Sequence, residues 1–180
     1  GGITQPNRNG LLLLNEGVDG LKTGWISNEE GFHLVATAQR TGQRFISVVM
    51  GAKNRFTREN EALKLLNYGF KNFSTATIFK AQEPIATIRV WRGTENQVAL
   101  IASESGIITV AAGDAPHLSF TKTIPERIYA PVSPGQVMGE GVISLNGKTL
   151  KKVALVTQNG VPAGNIFKRL AHTFLLSFYL

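Results

Sequence analysis

Apolar residues in the first third of the chain fall in short runs that polar turns separate. The runs are Leu21–Trp25, Phe32–Gln39 and Arg44–Met50, and the last two are rich in β-branched or aromatic residues, as strands are. Thr41-Gly42-Gln43 joins these two runs as a tight hairpin connection. We therefore expect three adjacent antiparallel strands over residues 20–51.

The next segment, Thr57–Phe73, has a helical period. Its apolar positions recur at i, i+3, i+4, i+7, i+8 and i+11, on one helix face: Ala62, Leu65, Leu66, Gly69, Phe70 and Phe73. Glu59 and Glu61 in the first turn and Lys71 in the last suit the helix dipole. We expect this helix to cover one face of the sheet.

From residue 77 to residue 161 the helical period is lost, and a plausible hinge, Ser74-Thr75-Ala76-Thr77, precedes the change. Short runs with turn signals between them predict strands over Ile85–Trp91, Val98–Ala102, Ile107–Ala111, Leu118–Ile124, Val137–Leu145 and Leu150–Val156. Asn146-Gly147 between the last two is a strong type I′ hairpin signal. The spacing favours a small β-sandwich or barrel.

The last segment, residues 163–180, returns to helical spacing. Its apolar residues are Ile166, Phe167, Leu170, Phe174, Leu175 and Phe178, and Lys168, Arg169 and His172 gather on the other side. This pattern favours an amphipathic helix in a membrane interface, and a core helix docked on the β-rich segment is the open alternative. No stretch of about 18 apolar residues exists, so no transmembrane helix is expected.

Composition narrows the classes of function. The 180 residues are 43% hydrophobic and carry a net charge of +7, which an anionic membrane or a cell-wall polymer would attract. The charge is spread without a dense basic run or basic–aromatic interleaving, which argues against nucleic acid. The absence of cysteine excludes disulfides, a thiolate nucleophile and cysteine-type zinc sites. Because His33, His117 and His172 lack metal-type spacing, no metal or cofactor is expected.

The stretch VDGLKTGW, Val18–Trp25, carries candidate chemistry. A lysine, a hydroxyl and a glycine in adjacent positions suit the wall of an acyl-transfer site, but they bring no nucleophile. With its neighbours, the stretch resembles low-molecular-weight penicillin-binding proteins, the serine-type D-alanyl-D-alanine carboxypeptidases of the bacterial cell wall. The similar runs are PNRNGLL, VDGLKTG, FISVVMGA and LLNYGF, followed by PGQVMG, the NGKT hairpin and the amphipathic tail.

The resemblance implies an α+β protein with three parts. Residues 1–76 would be the C-terminal portion of a transpeptidase-like catalytic domain, built from antiparallel strands plus a helix. Residues 77–162 would form an all-β, sandwich-like domain, and residues 163–180 a membrane-anchor helix. The expected location is the periplasmic face of the inner membrane, and the N-terminus, GGITQPNRNG, does not read as a signal peptide.

The same resemblance assigns roles to the Lys-Thr-Gly stretch. Lys22 would attract the anionic end of the substrate and support proton transfer, while Thr23 would hydrogen-bond its carboxylate. Gly24 would let the substrate backbone lie against the strand, because it has no Cβ. The backbone N–H of Trp25 would belong to the oxyanion hole.

The resemblance also places two arginines in the expected site, and one position, Ile26, departs from the family's pattern. Arg58 would bind the terminal carboxylate of the substrate through two hydrogen bonds, and Arg8 would lie near the site. Ile26 stands where many relatives carry threonine or serine, and the turn after it is a residue longer, which changes the substrate edge. The implied ligands are a pentapeptide ending in D-Ala-D-Ala and, for the full-length enzyme, β-lactam antibiotics.

The family's serine nucleophile is not expected within these residues. Its motifs S-x-x-K and S-x-N precede K-T-G, yet no serine precedes Lys22. Ser119–Lys122 spells the first motif by chance, because a strand would point residues i and i+3 to opposite faces. Ser144–Asn146 spells the second by chance, because it runs into the Asn146-Gly147 hairpin turn. We therefore expect the nucleophile ahead of Gly1, and this chain alone to be inactive.

Two questions stay open at this point. The sequence does not separate a carboxypeptidase from an endopeptidase or a weak β-lactamase. A non-catalytic, membrane-associated module, acting as a spacer or partner-binding unit, is the alternative function.

Overall fold

The chain divides into two compact units, each built mainly from strands with one α-helix. Unit 1 comprises Gly1–Ser74 with Val110–Gly113, and unit 2 comprises Thr75–Thr109 with Asp114–Leu180. The computed structural model describes residues 2–14 and 16–176.

Unit 1 contains a three-stranded antiparallel sheet, as the sequence predicts. Its strands are β1 (Val18–Trp25), β2 (Phe32–Arg40) and β3 (Gln43–Ala52), in the order β1-β2-β3. The two residues between β2 and β3, Thr41 and Gly42, have φ values of 46° and 80°, the left-handed pair that a type I′ turn requires.

Helix α1 (Arg55–Asn72) packs on β2 and β3 and buries a small core. The buried members of this core are Leu11, Leu34, Ala36, Ala38, Ala62 and Leu66. The helix begins two residues earlier than predicted, because the Asn54 side chain accepts a hydrogen bond from the Thr57 N–H and caps it. The first turn consequently holds no acidic residue, and Leu65 is 50% exposed, so both of these details were predicted wrongly.

In the described part of the chain eight more strands follow, and six of them lie wholly in unit 2. They are β4 (Phe73–Thr77), β5 (Pro84–Trp91), β6 (Gln97–Ala102), β7 (Ile107–Ala111), β8 (Leu118–Thr123), β9 (Arg127–Tyr129), β10 (Val137–Leu145) and β11 (Lys148–Thr157). Six of them form one sheet in the order β8-β10-β11-β6-β5-β9, in which β5 and β9 are parallel, and β4 pairs with β7. Sequence reasoning missed β4 and β9, and the stretch it read as a hinge is part of β4.

One continuous core holds unit 2 together. Its buried members come from five strands and the adjoining loops: Phe79, Ile88, Val90, Val98, Leu100, Ala102, Ile128, Val132, Ile143, Val153, Leu155 and Val161. The β10–β11 hairpin turns at Asn146-Gly147 with φ values of 50° and 80°, as predicted. The sandwich-like arrangement of layers stays a prediction, because the strand pairing gives a single six-stranded sheet.

Unit 2 ends in helix α2 (Ile166–Leu176), which Asn165 caps by accepting a hydrogen bond from the Lys168 N–H. In the described part of the chain, no helix is long and apolar enough to cross a membrane.

Candidate functional site

A cleft of about 730 Å³ in unit 1 gathers the residues that the sequence singled out. It is lined by Gln5, Pro6, Arg8, Lys22, Thr23, Gly24, Trp25, Phe32, Arg55 and Arg58. Four of these side chains are cationic and none is acidic, so the cleft favours an anionic ligand.

Strand β1 forms one wall of the cleft. Among the described residues it pairs only with β2, so its other edge offers unpaired backbone groups to an extended ligand. Two contacts fix the strand near its start. Asn9 is 4% exposed and donates from Nδ2 to the Gly20 carbonyl at 3.2 Å, while the Arg44 guanidinium donates to both Asp19 oxygens at 2.7 and 2.8 Å. The Arg44 hydrogen bond also lowers the pKa of the Asp19 carboxyl.

The Lys-Thr-Gly residues occupy the second half of β1. Lys22 is exposed, and its ammonium donates to the Thr23 carbonyl at 2.6 Å. Thr23 and Gly24 are half-buried, opposite Leu34 and His33 on β2. A Cβ built on Gly24 would lie 3.4 Å from the nearest atom, the His33 Cβ, so the packing of the chain does not itself exclude a side chain here.

Trp25 ends the strand and also lines the cleft. The residue is 56% exposed, and its ring lies 6.5 Å from the Phe32 ring, centroid to centroid. Ile26, the departure from the family's usual threonine or serine, is 67% exposed beside it. This end of β1 therefore presents apolar surface.

The two predicted arginines differ in accessibility. Arg58 is 2% exposed, and its Nη2 donates to the Arg8 carbonyl at 2.7 Å and to Glu59 Oε1 at 3.0 Å. Glu59 Oε1 also accepts from the Gly10 N–H at 3.0 Å, so this network holds the loop of Arg8 against α1. Within the described residues, the buried Nε of Arg58 has no hydrogen-bond partner. The Arg8 side chain is exposed and free to approach a ligand.

Sequence reasoning missed Gln5, Pro6, Phe32 and Arg55 in this cleft. Arg55 is the first residue of α1, three positions before Arg58, and that spacing on a helix start was a usable signal. Gln5 and Pro6 lie in a loop without periodicity, so no pattern in the sequence indicated them.

The serine motifs that looked accidental lie on strands of unit 2. Ser119 and Lys122 belong to β8, and Ser144 is the cross-strand partner of Ser119 on β10. The Ser119 hydroxyl donates to the Ser144 carbonyl at 3.4 Å, whereas the Lys122 ammonium donates to the Ile85 carbonyl at 3.1 Å. The hydroxyl and the amine thus have different partners and form no nucleophile–base pair.

The apolar residues of α2 that sequence reasoning assigned to a membrane anchor are exposed. The exposed fractions are 67% for Ile166, 79% for Phe167, 63% for Leu170, 67% for Phe174 and 44% for Leu175. Phe178, the sixth predicted member, lies outside the described residues. The opposite side of α2 docks on unit 2, where the Lys168 ammonium donates to the Thr94 carbonyl at 2.7 Å.

Comparison with known proteins identifies the family of this chain. A family model described as D-alanyl-D-alanine carboxypeptidase matches residues 1–54, and one described as penicillin-binding protein 5, C-terminal domain, matches residues 73–163. The chain belongs to the penicillin-binding protein 5 family of D-alanyl-D-alanine carboxypeptidases. The Lys-Thr-Gly strand lies within the first match, and most of unit 2 lies within the second.

Individual relatives of this family match nearly the whole chain. D-alanyl-D-alanine carboxypeptidase DacC of Escherichia coli is 40% identical over 98% of this chain, and DacA of Haemophilus influenzae is 39% identical over 93%. The chain spans 44% and 43% of those two relatives. The crystal structure of penicillin-binding protein 5 from Haemophilus influenzae matches with a TM-score of 0.77 at 39% identity, over 89% of this chain and 47% of that one.

Proposed function

We propose that this chain supplies the Lys-Thr-Gly wall and the β-rich domain of a serine-type D-alanyl-D-alanine carboxypeptidase. The whole enzyme would remove the terminal D-alanine from peptidoglycan stem peptides through an acyl-enzyme. The observation that carries the proposal is the cleft in unit 1, which unites Arg8, Arg58 and Lys22–Trp25 around an anion-attracting space.

The substrate would lie extended along the open edge of β1. Thr23 and the exposed Arg8 would hydrogen-bond its terminal carboxylate, and Lys22 would stabilise that charge and help to move the proton. Gly24 supports this placement, because a glycine that its own chain does not require leaves room for a ligand backbone. The Trp25 N–H would stabilise the oxyanion of the tetrahedral intermediate.

Arg58 would act on the carboxylate chiefly through its hold on the Arg8 loop. Its Nη2 already binds the Arg8 carbonyl and Glu59, and its side chain is almost fully buried. The unpartnered Nε leaves one donor for a ligand or a bridging water.

The nucleophile would come from the part of the family's catalytic domain that this chain does not match. No residue that lines the cleft is a serine, within the described part of the chain. In the whole enzyme, the serine Oγ would attack the carbonyl between the two D-alanines, and the leaving amine would take the proton. Water would then hydrolyse the ester, whereas a β-lactam would leave a long-lived acyl-enzyme.

A chimera tests this proposal, with these 180 residues replacing the matching portion of the Escherichia coli relative DacC. We expect the chimera to release D-alanine from a diacetyl-lysyl-D-Ala-D-Ala peptide. Lys22→Ala should lower kcat/KM by about 10²–10⁴-fold, and Lys148→Ala, at an exposed hairpin of unit 2, should not change it. A folded chimera without activity, or equal activity in both variants, would contradict the proposal.

The enzyme would be held at the periplasmic face of the inner membrane by α2. The exposed aromatic and aliphatic side chains of this helix, and the absence of acidic residues from it, suit an anionic bilayer surface. Deletion of residues 163–180 should therefore abolish flotation with anionic vesicles. Unchanged flotation would remove the anchor from the account.

A non-catalytic module is the second candidate, because unit 2 has a continuous core of its own. In that case the β-domain and α2 would act as a spacer or a partner-binding unit. The chimera separates the two candidates, because Lys22→Ala would leave its activity unchanged if this chain had no catalytic role.

A further inference from the structure

A second cationic cleft lies in unit 2, where α2 meets the sheet. It has a volume of about 230 Å³ and is lined by Arg92, Ile166, Arg169, Leu170 and Thr173. Two arginines thus line a small space together with two aliphatic residues of α2.

The backbone of Arg92 builds this cleft by docking the helix. Its N–H donates to His172 Nδ1 at 2.8 Å, and its carbonyl accepts from the Gly164 N–H at 2.8 Å. Arg92 has a φ of 61°, a left-handed conformation that is uncommon for a residue with a side chain. The His172 ring also lies 5.3 Å from the Trp91 ring in an edge-to-face arrangement. These contacts hold the backbone of Arg92 in place between α2 and the residues that precede it.

The side chain of Arg92 lacks the partner that its burial calls for. Its Nε is buried and has no hydrogen-bond partner among the described residues, a state that is costly for a charged donor. Its guanidinium faces the Tyr129 ring at 5.7 Å, which satisfies no N–H. Neither Arg92 nor Arg169 forms an ion pair with a described carboxylate, and the Thr173 hydroxyl is used by the Arg169 carbonyl.

The chemistry of the cleft selects an anion with several acceptor oxygens. A guanidinium presents its donors in a planar fork that matches phosphate, and a second guanidinium binds the remaining oxygens. Lys168 and Arg89 are cations close enough to His172 to lower its pKa, after the larger effect of burial, and they add to the positive charge around the cleft. The cleft would therefore attract an anion.

The surroundings of the cleft indicate where that phosphate comes from. Ile166 and Leu170 line the cleft and are 67% and 63% exposed, and Phe167 and Phe174 on the same helix are exposed as well. This apolar border would add nothing to the binding of a soluble phosphate, whereas the acyl chains of a lipid would pack against it.

We propose that Arg92 and Arg169 form a binding site for the headgroup phosphate of a membrane lipid. The proposal rests on the proposed function in one respect, namely that α2 lies at a membrane surface. It adds a stoichiometric, geometry-dependent contact to a surface attraction that would otherwise be diffuse.

Charge-preserving variants test the site on the full 180-residue chain. Arg92→Lys keeps the charge but loses the fork, so it should weaken binding to phosphatidylcholine vesicles with 30% phosphatidylglycerol by about tenfold. Arg127→Lys, at an exposed position of β9 in the same unit, should change binding by less than about twofold. Equal effects of the two variants would overturn the proposal, because diffuse charge would then explain the binding.

Side-chain NMR of the arginine Nε–H groups separates the source of the phosphate. We expect the Arg92 signal to shift on addition of the vesicles, and inorganic phosphate to shift it only at concentrations at least tenfold higher. A response to inorganic phosphate alone, with no vesicle binding, would overturn the lipid assignment and the membrane role of α2 together. Vesicle binding that Phe167→Ser reduces, without any response at Arg92, would overturn the site alone and leave the anchor intact.

Discussion

Unit 1 and unit 2 differ in how completely they bury their apolar residues. Among the described residues, the core cluster of unit 2 has twelve buried members and that of unit 1 has six. Unit 1 also exposes a row of large apolar side chains at alternate positions of β3, namely Ile46, Val48 and Met50, each more than 50% exposed. In unit 2 the corresponding exposure is concentrated on α2.

The two units therefore differ in what they contain: unit 2 has the larger buried core, and unit 1 holds the candidate site. Unit 2 encloses a core of the kind that a domain needs, whereas unit 1 carries the anion-attracting cleft on a sheet with uncovered apolar surface. Large exposed apolar patches mark surfaces that pack against something else. In the proposed enzyme, the remainder of the catalytic domain would supply such a cover.

The largest effect should come from the core of unit 2. Leu155 is fully buried, so Leu155→Ala should lower the free energy of unfolding of unit 2 by about 2–5 kcal/mol. Leu150→Ala is the matched control on the same strand, where the side chain is 39% exposed, and it should cost less than about 1 kcal/mol. Denaturant unfolding, with hydrogen exchange as the readout, measures the effect of both variants. Faster exchange in unit 1 of the Leu155→Ala variant would show that the two units do not unfold independently.

The core of unit 1 provides the complementary test. Leu66 on α1 is fully buried and Leu65 is 50% exposed, so Leu66→Ala should destabilise unit 1 by about 2–4 kcal/mol and Leu65→Ala by much less. Because α1 also holds Arg58, Leu66→Ala should loosen the Arg8 loop before it affects unit 2. Exchange of the Leu11 and Gly10 amides reports that loosening, and equal protection in both variants would contradict it.

A smaller effect should follow from exchanging the first residues of the two hairpin turns. Both turns place their first residue at a φ near 50°, but unit 2 uses Asn146 and unit 1 uses Thr41, whose branched Cβ disfavours that region. Thr41→Asn should therefore stabilise unit 1 by about 0.5–1 kcal/mol, and Asn146→Thr should destabilise unit 2 by a similar amount. Thermal unfolding measures both, and a shift of the same sign in the two variants would refute the comparison.

The smallest effect should be the pH dependence of the α2 docking. Burial lowers the pKa of His172 below its ordinary value of 6.5, and the charges of Lys168 and Arg89 lower it further. The unfolded chain therefore binds this proton more readily, so the stabilising contribution is complete above pH 6.5 and declines as the pH falls through the lowered pKa.

The Arg92 amide provides the readout for this titration. Protonated His172 has no lone pair at Nδ1 to accept the Arg92 N–H, so the NMR signal of that amide should move on acidification below pH 6.5. His172→Asn keeps an acceptor without the titration, and it should flatten the response. The same pH dependence in the variant would rule out His172 as its cause.

The elements that sequence reasoning found are those with a strong local signal. The hairpins at Thr41-Gly42 and Asn146-Gly147 and the period of α1 are written in adjacent residues. Strand β9, with only three residues, and β4, which begins at the last residue of the predicted helix, have no such signal. Their pairing with β5 and β7 depends on contacts that are distant in sequence.

The candidate site shows the same limit. The Lys-Thr-Gly stretch was readable because its three residues are adjacent and its flanks resemble a family. The burial of Arg58 was not readable, because it depends on a loop 50 residues earlier and on the Glu59 carboxylate. Arg92 likewise showed no pattern, since its cleft is formed by a helix that follows it by more than 70 residues.

Intact mass after incubation with benzylpenicillin tests the central claim most directly. The 180-residue chain should gain no mass, because no residue that lines the cleft of unit 1 is a serine in the part of the chain that the structure describes. The chimera with the relative DacC should gain one penicilloyl group per molecule, and Lys22→Ala should slow that reaction by about 10²-fold or more. One covalent adduct per molecule on the 180-residue chain itself would contradict the account.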